Sequence, residues 1–455
     1  MKTQPTKKSL LGFLLVATVL ATACEEFLDP RPDQSLLVPE TLDDLQALLD
    51  NTQVFNYQPG LTSLATDELW VPESVLSGLI NPVEAATYTW AADPYQGGFT
   101  GSWSLPYEQI FYANVVLEAL ENIADNNGER FRRIKGTAHF FRAYAYYQLL
   151  QEFAPPFPID GNFENLLGVV IKDVADINEP LKRAGLKDGY DYLAADLEKA
   201  LALLPEQVTP QARPARTAAL GLKARFGLTT FQYGQALQAA EEALSIYGDG
   251  IDFNDLDPAL PNPFVRFNAE TINYTLVQSY SFMGTNLALV DTLLYRSYAG
   301  NDLRKEVLFS ENAAGYHHFT GRLSGTPQFF GGFTVGELKL VAAESAARLG
   351  DPQKALEHLN SLLSRRYEKE SWVPVEEKEP SKLLEIILAE RRKELIGRGL
   401  RWIDLRRLNQ EQEHAITLRR VIGGTEHLLP PNSLKYTFPL PDEEIQLTGL
   451  TQNPR

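Results

Sequence analysis

Read for spacing alone, the chain alternates between long stretches with a helical period and stretches that lose it. Leu42 to Leu49 sets leucines at helical spacing over a short run, an amphipathic helix by pattern. Residues 52–104 then gain Pro, Gly and aromatics and carry no regular period. Long helices are predicted from near Pro106. Tyr107–Ile123 places Ile110, Ala113, Asn114, Leu117 and Leu120 on one stripe, and Glu129–Phe153 places Ile134, Ala138, Phe141, Ala145 and Leu149 on another. Ala124-Asp-Asn-Asn-Gly128 between them is a turn by composition. Ala154-Pro-Pro-Phe-Pro158 ends the second helix, because proline cannot continue one.

Three later segments resemble one another: Tyr192–Pro205, Tyr233–Ile246 and Asp351–Leu363. Each spaces small residues and leucines as a helix would and ends in a break. The last two each follow another alanine-rich helix, Ala215–Thr229 and Thr334–Leu349. Small residues let neighbouring helices approach, so these pairs read as irregular tetratricopeptide-like repeats. The expected fold is mainly α: a tetratricopeptide-like helical repeat scaffold, with repeats within about 105–250 and 334–408. Segments 52–104, 248–333 and 409–455 would supply an irregular, loop-rich ligand-binding face containing short strands.

The N-terminus changes the picture from a plain repeat protein to an exported one. Lys2, Lys7 and Lys8 precede the uncharged run Leu10–Ala23, which is too short to span a bilayer and fits a signal peptide over residues 1–23. Ala21, Thr22 and Ala23 lead directly into Cys24, the chain's single cysteine. This arrangement resembles a bacterial lipobox, in which the thiol is acylated and becomes the new N-terminus. Each buried methylene contributes ~0.8 kcal/mol, so more than one acyl chain anchors lastingly. Residues 24–40 are then lipid anchor and tether, and residues 41–455 the folded domain. A single cysteine excludes a disulfide framework and a cysteine-based metal site. The formal charge of −17 disfavours nucleic acid, and cleavage would make the body more acidic still by removing the three lysines.

Candidate chemistry is sparse. No nucleophile elbow, zinc-protease pair, phosphate loop or dinucleotide fingerprint occurs, so no catalytic residue, metal or cofactor is expected. Glu390, Arg391, Glu394, Arg401, Trp402, Asp404 and Arg406 could be mistaken for an active site; their helical spacings favour a structural ion-pair network. His317-His318 lacks a third ligand at a recognisable spacing. Asp249, Asp252, Asp255 and Asp257 lack the glycine and terminal glutamate of a calcium loop and read as surface acidity or turn caps. The aromatics say more. Trp70, Tyr88, Trp90, Tyr95, Phe99 and Trp103 crowd one irregular segment; Tyr274, Tyr280, Phe282, Tyr295, Tyr298, Tyr316 and Phe319 crowd another. Ring faces with polar handles suit stacking on a sugar or gripping a peptide side chain. Trp70, Trp90, Tyr95, Tyr280, Phe282 and Tyr316 are the candidate ligand contacts, whereas Trp103 and Tyr295 read as packing residues.

Several stretches converge on one family. Cys24-Glu-Glu-Phe-Leu-Asp29 with Pro32, Trp103–Asn114, Gly136–Leu149, Arg216–Arg225, and Leu289–Tyr295 with Asn301–Arg304 occur in order. Glu337–Glu344 through Leu359-Asn360, Leu384–Arg407, Phe438–Ile445 and Gln452-Asn-Pro454 follow. The chain thereby resembles the SusD/RagB family across nearly its whole mature length. The resemblance implies a non-enzymatic lipoprotein on the outer face of the outer membrane. It would bind a nutrient, an oligosaccharide or in the RagB manner a peptide, and deliver it to a TonB-dependent SusC-like transporter. A repeat scaffold for protein–protein interaction and a glycan-active hydrolase are the readings from other classes. Members vary their ligand residues, so none carries over by motif.

Overall fold

Thr41 opens the first helix with a reciprocal cap: its hydroxyl accepts from the Asp44 amide while the Asp44 carboxylate accepts from the Thr41 amide. That helix, α1, spans Leu42–Leu49 as the pattern predicts. The computed structural model describes residues 39–79, 81–124, 126–284, 287–321 and 323–455, all with side chains except Phe282. The signal peptide, Cys24 and the tether up to residue 38 lie outside the described residues. Residues 41–455 form one unit.

The long helices follow in two runs: α2 (Gly101–Leu120), α3 (Glu129–Phe153), α4 (Leu186–Leu203), α5 (Arg216–Thr229) and α6 (Tyr233–Tyr247), then α7 (Val335–Arg348), α8 (Pro352–Leu363), α9 (Pro380–Glu394) and α10 (Arg401–Leu408). Most pack on their chain neighbours, α2 on α3, α3 on α4, α5 on α6, and α7 on both α6 and α8, whereas α9 returns to pack on α7. α2 begins six residues before the expected Tyr107. Thr100 caps it, its hydroxyl accepting from the Ser102 amide at 3.2 Å, and Pro106 sits just past the first turn, forfeiting a single backbone bond. The α5–α6 seam is built from small residues: a Cβ on Gly227 would stand 2.8 Å from that of Ala236, so glycine is what lets the pair close. The fold is mainly α, as expected.

The irregular segments are tied to each other by very short strands. Tyr57–Gln58 pairs in parallel with Leu276–Val277, and Leu69–Trp70 pairs antiparallel with Leu289–Val290. Two hairpins, 309–311 with 317–319 and 418–422 with 425–429, complete this side. Segments far apart in the chain are thus held together.

A buried ion-pair network accounts for the charged cluster near the C-terminus. Glu337 on α7 accepts two bonds from Arg225 on α5, at 2.7 and 2.9 Å. Two turns on, Glu344 accepts from Arg407 at 2.8 Å and Arg348 at 2.9 Å. Burial alone would raise the Glu344 carboxyl, but Arg407 and Arg348 outweigh it and hold it down at about 2. Arg304 reaches Asp302 at 2.8 Å and Glu390 at 2.6 Å, and Arg366 reaches Glu394 at 2.8 Å. Arg391 and Arg407 share Asp404, at 2.8 and 2.9 Å. These groups bind each other, so the cluster is scaffold. α9 and α10 are separated at Gly397 (φ +71°), where a side chain would also strike Phe319. Of the acidic residues near 250, Asp252 and Asp257 serve turns, accepting from the Asn254 and Ala259 amides at 3.0 Å each, while exposed Asp249 pairs with Arg365 at 2.9 Å.

Candidate ligand-binding site

Of the six aromatics picked from sequence, the structure brings two together. Trp70, half-buried on its two-residue strand, donates its indole N–H to the Val290 carbonyl at 3.1 Å, which fixes the ring. Tyr316, 41% exposed, meets it edge to face with ring centroids 5.1 Å apart and planes at 80°. Asn312 sets the hairpin tip that carries Tyr316, its side-chain oxygen accepting from the Ala314 and Tyr316 amides at 3.0 and 3.1 Å. The next residue, His317, stacks on Tyr295 at 3.5 Å and 18°. Tyr295 itself rides on a short helix, Thr292–Ser297, which Asp291 caps by accepting from the Leu294 amide at 2.8 Å. Burial lowers the His317 pKa, so the ring is neutral at neutral pH. His318 contacts the Ala288 carbonyl at 2.9 Å through Nδ1.

The platform stands on a charged footing. Arg401 grips Asp67 through two bonds at 2.7 and 3.0 Å, and Arg392 reaches the same carboxylate at 2.9 Å. Burial would raise the Asp67 carboxyl, but the two guanidinium groups outweigh it and hold it far below the carboxylate range. Its neighbour Glu68 is fully interior, and burial together with the Asp67 charge pushes it up to about 8.

Three of the other four candidates fall elsewhere. Trp90 is a core residue, correcting the expectation that it faces ligand: it is 2% exposed, donates to the Ala65 carbonyl at 2.9 Å, and lies under Arg420 at 4.3 Å. Tyr95 is likewise interior, its hydroxyl donating to the Pro439 carbonyl at 2.6 Å. Tyr280 shares a hydrogen bond with the Thr100 hydroxyl at 3.1 Å, and burial pushes its phenol up to about 12. The Phe282 side chain lies outside the described residues. Sequence reasoning passed over the Tyr295–His317 stack, because Tyr295 falls inside a motif-like stretch and read as packing. Among the described residues, no group of three or more His, Cys, Asp or Glu side chains is placed to hold a metal ion. No helix there is long and apolar enough to cross a membrane.

The site is thus one pair of partly exposed aromatics on the irregular side of a helical-repeat scaffold. Comparison with known proteins sharpens this. Residues 26–228 match a SusD-like family described as starch-binding and associating with the outer membrane, and residues 333–455 match the SusD (SusD/RagB) family. The chain belongs to the SusD/RagB family. It is 23% identical to SusD-like protein P2 of Formosa agariphila, over 96% of this chain and 97% of that protein. A SusD superfamily protein from Bacteroides thetaiotaomicron superposes with a TM-score of 0.74 at 20% identity, covering 91% of this chain and all of that one (100%). A laminarin-binding SusD-like protein superposes with a TM-score of 0.63 at 16% identity, covering 90% and 97%.

Proposed function

We propose that this protein is a lipid-anchored receptor at the outer surface of the outer membrane. It captures an oligosaccharide and passes it to a TonB-dependent SusC-like transporter. The observation that carries the reading is the Trp70–Tyr316 pair, fixed by backbone hydrogen bonds and left partly in solvent. Two rings at a steep angle offer a sugar one face to stack on and one edge to lean against, while a phenol supplies a polar handle. Family membership and the laminarin-binding neighbour support a glycan over other ligands. The mechanism is capture and hand-over, with no covalent step. Cys24 supplies the anchor.

The test is a glycan and peptide array probed with the chain from Glu25 onward, alongside Trp70→Ala and Tyr316→Ala. Glycan retention lost in both variants is the expected result. Retention of peptides alone would replace the ligand class, and turnover of a glycan would overturn the receptor reading. For the anchor, Cys24→Ser is expected to release the protein from membranes into the soluble fraction.

A further inference from the structure

One flank of the helical scaffold leaves large apolar side chains in solvent. Phe99 is 73% exposed, Ile177 81% and Leu447 77%. They border two adjoining hollows of about 240 and 340 Å³, which share Trp103, Ser104 and Glu444. Isolated apolar residues on a surface mean little, but residues bordering one continuous groove mark an interaction site. Trp103, Tyr107 and Phe111 recur along α2 at a four-residue spacing, so one helix face forms the floor.

The walls are built to stay apart. The Tyr107 hydroxyl donates to the Val170 carbonyl at 2.9 Å, and the Asn114 amide donates to the Lys172 and Val174 carbonyls at 3.1 and 3.0 Å. The Ala175 amide donates to Glu118 at 2.6 Å. These bonds pin the 170–177 segment to α2 along its length, and Ile177 still projects outward. The opposite wall is the helix Asp442–Thr448, which buries none of its own residues. Its Glu444 accepts the Trp103 indole N–H at 3.1 Å, tying wall to floor.

The rim is acidic. Asp442, Glu443 and Glu444 stand in succession on one wall and Asp176 on the other. Among the described residues, Lys172 is the one cation lining the larger hollow, and it is engaged with Glu179 at 2.9 Å and the Asp176 carbonyl at 2.8 Å. The carboxylates are therefore not neutralised by the groove's own lining.

We propose that this groove docks a protein segment presenting Lys or Arg between apolar side chains. Apolar side chains would cover Phe99, Ile177 and Leu447, while cations would meet the Asp442–Glu444 rim. A neutral oligosaccharide fits less well, because Trp103 is only 6% exposed and the Tyr107 hydroxyl is already bonded. A second copy of this chain would bring the same acidic rim into a symmetric contact, setting like charge against like. The groove is a different surface from the Trp70–Tyr316 platform, and its role does not depend on the glycan reading.

The test uses the chain from Glu25 onward and a fluorescent synthetic amphipathic helix with one leucine face and one lysine face, beside a twin with glutamate for lysine. The lysine peptide is expected to bind at least about tenfold more tightly than its twin, and less tightly as salt is raised. Phe99→Ser with Leu447→Ser, and separately Asp442→Lys with Glu443→Lys, are each expected to weaken binding at least about tenfold. All four residues are tested with the melting temperature as a control for folding. Equal binding of both peptides, no binding of the lysine peptide, or binding unchanged in both double variants would overturn the proposal. So would a concentration-dependent dimer that the Phe99→Ser and Leu447→Ser variant abolishes, since a second copy would then be the occupant.

Discussion

Replacing Glu152 by Gln isolates the electrostatic cost of one interior carboxyl. Glu152 lies near the C-terminus of α3, 2% exposed, with Oε1 lacking a hydrogen-bond partner. Burial pushes its pKa up to about 8 from 4.5; Ser102 and Arg406 offset only part of this. The contrast with Glu344, which two guanidinium groups hold at about 2, shows what a paired interior glutamate looks like. The sign follows from proton binding. Between pH 4.5 and about 8 the folded state holds a proton that the unfolded state has released, so stability falls as pH rises through that window. The full difference is about 5 kcal/mol, and about 3 kcal/mol of it is already lost at neutral pH. Glutamine is neutral throughout, so Glu152→Gln is expected to gain on wild type by about 1.4 kcal/mol per pH unit across the window and to level off above it. Guanidinium unfolding at pH values from about 5 to about 9 reads this directly as a difference in midpoints. Parallel wild-type and variant profiles would refute the reasoning, because they would mean the folded protein carries Glu152 charged.

Glu344→Gln is expected to behave in the opposite sense, costing about 1.5–3 kcal/mol near neutrality by removing the charge that Arg407 and Arg348 share, although Arg407 keeps Asp404 at 2.9 Å and Arg348 keeps Glu411 at 2.8 Å. That cost should shrink as pH falls from 4.5 towards about 2, where wild-type Glu344 itself takes a proton; acid unfolding curves check it. Trp90→Ala should remove a core side chain and the ring beneath Arg420, costing about 3–5 kcal/mol by thermal or chemical unfolding, yet leave the folded protein's ligand affinity unchanged. Asn453→Ala should free the Phe153 and Phe438 carbonyls and one Arg183 contact, which it now satisfies at 2.8, 2.8 and 2.7 Å. A loss of about 2–4 kcal/mol and faster amide exchange across residues 438–455 are expected.

Helix starts were legible where a side-chain cap led straight into the apolar spacing, and were missed at α2, where the Thr100 cap precedes a turn closed off by Pro106. Thr41 and Asp351 are side-chain caps directly before helices that the apolar spacing already marked, and α1 and α8 fall where the pattern placed them. α4 begins at Leu186, earlier than the expected Tyr192; Gly189 in its first turns is a poor helix former by itself, but it packs directly against Leu150 of α3. The irregular face was less legible. Strands of two residues, such as Tyr57–Gln58 and Leu276–Val277, are too short to show an alternating period, and their partners lie more than half the scaffold away. Trp70 and Trp90 sit in one segment of similar composition. What separates them is distant: Arg420 covers Trp90, whereas Trp70 is pinned by Val290 and left beside Tyr316. The glutamates are a parallel case, since Glu152 and Glu344 look alike until the positions of Arg407 and Arg348 are known.

Calorimetric titration of the best array glycan into wild type, Trp70→Ala and Tyr316→Ala bears most directly on the receptor function. Each truncation removes one ring of a pair that sits partly in solvent, so folding should be spared and affinity should fall at least about tenfold. Affinity unchanged in both variants, with wild-type melting temperatures, would contradict the Trp70–Tyr316 platform as the ligand site.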